Sequence, residues 1–222
     1  LGESNVQAAL APYAKAHPEL VWGYRAAFPE IGLRVVAPDA RSLDAAAEEA
    51  RRVLGDAVFA CEEIPLAEAL GRALREKGLT LAAAESCTGG LVGHELTQVP
   101  GSSAYFKGAV VAYDNAVKAK LLCVGEELLA RCGAVSEEVS LAMARGVREA
   151  LFADVGVSTT GVAGPSGGTA LKPVGLVHFA VSTAFGESHL ERRFQGYDRT
   201  RIKRASAWTA MRLALDAVRG IP

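Results

Sequence analysis

The stretch Leu79 to Gly93, LTLAAAESCTGGLVG, restricts the fold of this chain more than any other. It is apolar and small from Leu79 to Ala84, polar through Glu85, Ser86, Cys87 and Thr88, and apolar again at Leu91 and Val92 after Gly89 and Gly90. That order predicts a buried strand ending in a tight turn that opens a helix. Such a junction aims main-chain N–H groups, and the positive end of a helix dipole, at whatever occupies the space above it. The two glycines permit close approach to the backbone, and Ser86 and Thr88 bring hydroxyls to the same place. Two readings fit: Ser86 is a nucleophile, or Ser86 or Thr88 caps the helix.

A chain of 222 residues, half of them apolar, has enough material for one large domain or two small ones with a real core. A net charge of −1 exerts no general pull toward nucleic acid or an anionic membrane. No run of eighteen apolar residues is present to span a bilayer, and the N-terminus lacks the pattern of a signal peptide. Starting at Leu1 rather than Met suggests a piece of a longer protein. Cys61, Cys87, Cys123 and Cys132 are scattered without a CxxC or a disulfide framework, which reads as reduced thiols in a cytoplasmic protein. Without HxxxH, HExxH or paired Cys and His ligands, a protein-built zinc site is not expected.

Taken in order, residues 1–63 read as a small α+β domain. Its elements are a helix over Asn5 to Ala16, strands over Val21 to Phe28 and Gly32 to Ala37, a helix capped by Ser42 and running to Leu54, and a short strand from Ala57 to Ala60. This region holds ten acids and six bases, which does not favour RNA or DNA binding. After Ile64-Pro65, residues 66–222 read as a second domain of alternating helices and short apolar strands. A helix from Leu66 ends at Gly78, and the central strand and turn come next. Then come a helix over Leu91 to Thr97, a strand from Phe106 to Tyr113, a short helix from Asn115, and a helix opened by Ser136-Glu137-Glu138. A strand from Asp154 to Gly161, a hairpin over Val174 to Thr183 and His189 to Phe194, and a long helix from Thr200 to Arg219 complete the pattern. Trp208, Met211, Leu215 and Val218 are its inward residues. Alternation of this kind predicts a three-layer α/β/α domain with ligands at the loops beyond the strand ends.

Three loops meet that description: Glu85 to Gly90, Tyr113 to Lys118, and Thr160 to Gly168. None is a Walker loop, a dinucleotide fingerprint or a GxSxG elbow. His17, His94, His178 and His189 show no spacing that builds a Ser-His-Asp triad. The base left for Ser86 is Lys118. A lysine buried among apolar groups loses basicity and can then take a proton, and Tyr113, five residues earlier, is placed to relay or orient it. The plain alternatives are a solvated helix lysine and an edge aromatic with its hydroxyl at the surface.

The runs AESCTGG (Ala84 to Gly90), PGSSAYFKGAVVAYDNAVKAKLL (Pro100 to Leu122), GAVSEEV (Gly133 to Val139), TGVAGPSGG (Thr160 to Gly168), KPVG (Lys172 to Gly175) and GYDRTRIKR (Gly196 to Arg204) occur in this order. Together they resemble the C-terminal domain of the CinA family, known as nicotinamide mononucleotide amidohydrolase. Residues 1–65 resemble the middle domain that precedes it in full-length members, whose still earlier molybdopterin-binding-like domain is absent from this chain. The resemblance implies hydrolysis of nicotinamide mononucleotide to nicotinic acid mononucleotide and ammonia by a metal-free serine/lysine/tyrosine amidase. Those roles fall on Ser86, Lys118 and Tyr113. It also implies roles for Thr160 and Arg199, no cofactor, and a homodimer.

On this basis Ser86 attacks the carboxamide carbon while Lys118, assisted by Tyr113, takes its proton. Main-chain N–H groups of Cys87, Thr88, Gly89 and Gly90 receive the oxyanion. The 5′-phosphate is expected to meet Arg199, Ser102 or Ser103, and the turn that contains Gly164 and Gly167. Arg199 also has a bland reading, because residues 191–219 hold eight bases and three acids and a basic helix face is commonly just solvated. Cys87 is the rival nucleophile, without a base spaced to ionise it. A non-catalytic nucleotide-binding module is the alternative function. A partner role in competence or DNA damage is suggested only by the family's name.

Overall fold

The computed structural model describes residues 2–222. They form two compact units, the first ending at Ile64 and the second spanning Pro65–Pro222.

In the first unit, α1 (Glu3–Ala16) and α2 (Ala40–Leu54) accompany an antiparallel hairpin of β1 (Val21–Ala27) and β2 (Glu30–Val36). Val6, Leu10 and Ala50 are buried there against Trp22, Tyr24, Ile31 and Leu33. Two expectations change. Asp39, not Ser42, caps α2: its carboxylate accepts the Ser42 N–H at 2.8 Å and the Ser42 hydroxyl at 3.1 Å. A carboxylate also suits the helix dipole better than a hydroxyl, so the helix starts earlier than Ser42. The strand expected over residues 57–60 is absent. Gly55, at φ 51°, ends α2 and leads into a 3-10 turn over Gly55–Ala57, and no neighbouring strand offers residues 58–60 a ladder of hydrogen bonds.

The second unit is a mixed five-stranded sheet between two layers of helices. In chain order its elements are α3 (Leu66–Glu76), β3 (Leu81–Glu85), α4 (Leu91–Thr97), β4 (Phe106–Val111), α5 (Asn115–Leu122), α6 (Glu126–Cys132) and α7 (Glu137–Ala150). They continue with β5 (Val155–Gly161), β6 (Leu176–Thr183), β7 (Gly186–Arg193) and α8 (Arg199–Gly220). The sheet order is β4-β3-β5-β6-β7, with β4, β3 and β5 parallel and β6 antiparallel to both β5 and β7. Helices α3, α4 and α8 cover one face, and α5, α6 and α7 the other. Gly78, at φ 64°, stops α3: the Leu79 N–H donates to the Leu74 carbonyl at 2.9 Å, the six-to-one bond of a Schellman end. Along α8, Met211, Leu215 and Val218 are buried as expected, whereas Trp208 is half-buried.

Every residue of β3 is buried, because it lies between two strands and under helices on both faces. Its alanines fit that place: small side chains let helices come close. Ala82 and Ala84 pack in one cluster with Leu122, Val139, Met143 and Val147. Two glycines bring α7 closer still. A Cβ at Gly146 would lie 2.0 Å from the Leu122 carbonyl oxygen, and one at Gly156 would lie 2.1 Å from that of Ala144. The end of α5 is thereby seated against α7 by backbone contact, which fixes the helix that carries Lys118. No helix among the described residues is long and apolar enough to cross a membrane.

Candidate active site

The parallel strands set the place of the site. In register, Glu85 lies opposite Val111 on one side and Thr159 on the other. The residues just past these positions, Ser86, Ala112 and Thr160, therefore come together at one edge of the sheet. A pocket opens there, lined by Ser86, Cys87, Tyr113, Lys118, Thr160 and Arg199, with Ala134, Val135, Gly161 and Ala163 completing its walls.

Glu85 shapes the turn that holds Ser86. Its carboxylate is fully buried and accepts three main-chain N–H groups, from Gly90 at 2.9 Å, Val92 at 3.1 Å and Gly93 at 2.8 Å. Helix α4 thus has its first N–H groups occupied from within, so the expectation that they face a ligand is not met. Gly90 in particular donates to Glu85 and is not available to an oxyanion. The capping reading also ends here. Gly90, at φ 94°, is the N-cap and makes no side-chain cap bond, and the buried Thr88 hydroxyl lies 2.7 Å from that of Thr159. Ser86 itself is anchored by its N–H on the Thr159 carbonyl at 3.0 Å, which leaves its side chain for Lys118.

Lys118 is 1% exposed. Its helix, α5, starts at the Asp114 cap, whose carboxylate accepts the Ala116 N–H at 2.7 Å, and one turn in, the lysine points under the pocket. Its Nζ donates to the Ala112 carbonyl at 2.8 Å and the Tyr113 carbonyl at 3.1 Å, and it lies 3.2 Å from Ser86 Oγ. Two carbonyls fix two of the three directions of a tetrahedral nitrogen, so the third is aimed at the serine. Burial pushes the lysine below its ordinary value, with the Asp114 carboxylate and Cys87 opposing the shift more weakly. The reading as a solvated helix lysine is excluded. Cys87, by contrast, is buried, and desolvation pushes its thiol up to about 12.

Tyr113 meets Lys118 through its main-chain carbonyl. The residue is 63% exposed, and its hydroxyl lies 3.4 Å from Arg199, the only hydrogen bond that hydroxyl makes among the described residues. The Arg199 guanidinium also donates to the Gly164 carbonyl at 2.7 Å, tying the glycine-rich loop to the pocket rim. Thr160 lines the pocket while its hydroxyl donates to the Ala134 carbonyl at 2.7 Å, so it holds the wall formed by Ala134 and Val135. Lys172 supports the same wall by donating to the Cys132 carbonyl at 2.6 Å.

Some expected residues do not join. Ser102 and Ser103 precede β4, whereas the pocket lies past its other end; six strand residues at roughly 3.3 Å each put them about 20 Å away. They do not serve the pocket of their own chain. Gly89 is not one of these: at φ 60° it keeps its place in the turn after Ser86, with Lys203 Nζ 3.4 Å from where a Cβ would be. Gly167 is exposed in the loop after the pocket wall. His178 and His189 pair with each other at 3.0 Å and not with Ser86. Among the described residues no group of three His, Cys, Asp or Glu side chains is arranged to hold a metal ion.

Comparison with known proteins gives this arrangement its relatives. The model of the CinA C-terminal domain matches residues 63–218. A CinA-like protein of Synechococcus sp. (strain RCC307) is 46% identical over 200 residues, 87% of this chain and 48% of its own length. One of Koribacter versatilis is 40% identical over 225 residues, 99% of this chain and 53% of its own. The chain therefore spans about half the length of these curated relatives. The crystal structure of the competence/damage inducible protein CihA from Agrobacterium tumefaciens is 40% identical, with a TM-score of 0.65 over 72% of this chain and 99% of that one. The competence damage-inducible protein A of Klebsiella pneumoniae is 29% identical, with a TM-score of 0.68 over 71% of this chain and 97% of that one. With the family model matching most of its length and solved members sharing its fold, the chain belongs to the CinA family through its C-terminal domain.

Proposed function

We propose that the second unit is a serine amidase that hydrolyses the carboxamide of nicotinamide mononucleotide to nicotinic acid mononucleotide and ammonia. The observation that carries this reading is Lys118, buried and held by two carbonyls with its third direction on Ser86 Oγ. Neutral Lys118 accepts the serine proton as Oγ bonds to the amide carbon. The N–H groups of the Cys87, Thr88 and Gly89 turn receive the oxyanion, each donor contributing typically about 3 kcal/mol. Lys118 returns the proton to the departing nitrogen, and ammonia leaves. Water then gives a proton to Lys118 and attacks the acyl-enzyme; collapse returns that proton to Ser86 and releases the acid. Arg199, with guanidinium N–H groups beyond the two it uses on Gly164 and Tyr113, is the donor for the 5′-phosphate.

The test is the pH dependence of ammonia release. Lys118 works only when neutral, so the rate rises with pH on an acid limb. Because burial lowers the lysine, the midpoint lies below the ordinary lysine value of about 10.4. The same shift acts on stability. Between the lowered value and about 10.4 the unfolded chain binds the extra proton, so this group's penalty is full at low pH and fades as pH rises through the window. A rate that is independent of pH up to about 10.4, or that falls with pH, contradicts the lysine base.

A further inference from the structure

We infer that His178 and His189 form an acid-sensitive latch between the sheet and the start of α7. It holds while the two rings share one bridging proton and parts when both rings are charged, which loosens the pocket wall of Ala134 and Val135. The latch goes beyond the amidase reading, since its action does not depend on which reaction the pocket performs.

Geometry carries it. His178 Nδ1 and His189 Nε2 lie 3.0 Å apart, and the rings stack at 5.2 Å. On its other side His189 Nδ1 lies 3.4 Å from the carboxylate of Glu137, the first residue of α7. The connection thus runs from β6 through β7 to the helix. His178 is 7% exposed and pairs in register with Thr160, so the two side chains stand on one face of the sheet. From that face the Thr160 hydroxyl holds the Ala134 carbonyl. Only Val135 and the Ser136 cap separate Ala134 from Glu137. The wall is therefore held on one side by Thr160 and Lys172 and on the other by Glu137.

Counting protons shows when the latch parts. Two neutral imidazoles carry two ring protons on four nitrogens, one in the bridge and one outside it. A first added proton takes the remaining outer nitrogen and leaves the bridge intact. A second puts N–H against N–H across the bridge, between two cations and with no acceptor. The groups facing the pair are the carboxylates of Glu137 and Glu138 on α7, that of Glu191 on β7, and the Lys172 ammonium. Glu138 is itself drawn to Cys132 and Arg131 at the end of α6. Burial pushes His178 below its ordinary value and His189 beside it adds to the shift, with Glu191 opposing. The unfolded chain takes up this proton near 6.5 and the folded chain only at lower pH, so the folded state loses stability as pH falls below about 6.5. A charged His178 also repels Lys172, whose Nζ grips the Cys132 carbonyl under the same wall. About two turns further along, α7 is fastened to β7 by Arg145 and Glu187 at 2.9 and 2.7 Å. That guanidinium holds the Glu187 carboxylate below its ordinary range, so this second fastening survives mild acid and only the start of the helix is released.

Hydrogen exchange of the main-chain N–H groups of residues 139–143, corrected for the intrinsic effect of pH, tests the latch in the whole chain. From about pH 7 to about pH 5 their protection should fall about fivefold or more, while that of β3 holds. His189→Gln offers an amide oxygen to the His178 N–H and brings no second ring proton. Its latch persists in acid, so the same change of pH should alter protection by less than about twofold. His178→Phe removes the link and should leave protection low at both pH values. Protection that the wild type keeps at about pH 5, or a fall in His189→Gln as large as the wild type's, overturns the inference. The comparison of wild type with His189→Gln decides the matter even if His178→Phe does not fold.

Discussion

Replacing Lys118 by methionine is expected to lower the rate of ammonia release by about a thousandfold or more, with binding of the nucleotide little changed. The size reflects the work of the side chain. A positioned general base supplies typically 10²–10⁴ in rate, and in the proposed mechanism the base also activates the nucleophile and returns the proton to the leaving group. Affinity should survive because Nζ faces Ser86 and two carbonyls, not the rim where Arg199 and Tyr113 lie. Methionine fills a similar volume without the charge, so a buried charge does not have to be accommodated, although the Ala112 and Tyr113 carbonyls lose their donor. Steady-state ammonia release gives the first quantity and calorimetry the second. Retained turnover would remove Lys118 from the mechanism, and a nucleotide-binding module without hydrolysis would show no rate to lose.

The second large effect falls on a residue outside the pocket lining. Glu85→Ala should destabilise the second unit by roughly 3–5 kcal/mol. It deprives three buried main-chain N–H groups of their acceptor, and each buried donor left unsatisfied costs about 1–3 kcal/mol before any relaxation or water entry. For a unit of this size that corresponds to a fall in Tm on the order of 10 °C. Activity should fall further than stability accounts for, since the turn released by Glu85 carries Ser86 and the N–H groups proposed to receive the oxyanion. Glu85→Gln keeps one carbonyl oxygen for the same N–H groups but opposes another with an amide, so its loss should be smaller. Thermal melts followed by circular dichroism, with activity measured well below the transition, separate the two consequences. An unchanged Tm for Glu85→Ala would show that the carboxylate is not what holds the turn.

Glu85 also shows where reading the sequence stops. In the run AESCTGG it looks like the first polar residue of a surface turn, and only the fold shows a fully buried carboxylate collecting three N–H groups. That Ser86 and Lys118 stand at one site is legible because the patterns around them are local: a small apolar strand, a glycine turn, and a lysine one turn into the short helix that follows a strand. Ser102 and Ser103 mislead for a topological reason. They stand about ten residues before Tyr113, but β4 runs between, so the residues that enter the strand and those that leave it lie at opposite edges of the sheet. The strand order is not written in any local pattern. Helix α6 carries no clear mark in the sequence; in EELLARC only Leu128 and Leu129 are large and apolar, too few to show a period, and Leu129 alone of the two is buried. The wall of Ala134 and Val135 lies within the run GAVSEEV, yet neither residue carries a polar group to suggest a role. It becomes visible only through the Thr160 and Lys172 side chains, which grip the carbonyls of Ala134 and Cys132.

The most direct test of the central claim is ammonia release from nicotinamide mononucleotide by the purified chain and by its Ser86→Ala variant, each with and without a chelator. The account predicts release by the wild type that the chelator leaves unchanged, together with loss of release in Ser86→Ala while the nucleotide still binds. Release that persists in Ser86→Ala, or a wild type that binds the nucleotide and releases no ammonia, would contradict it.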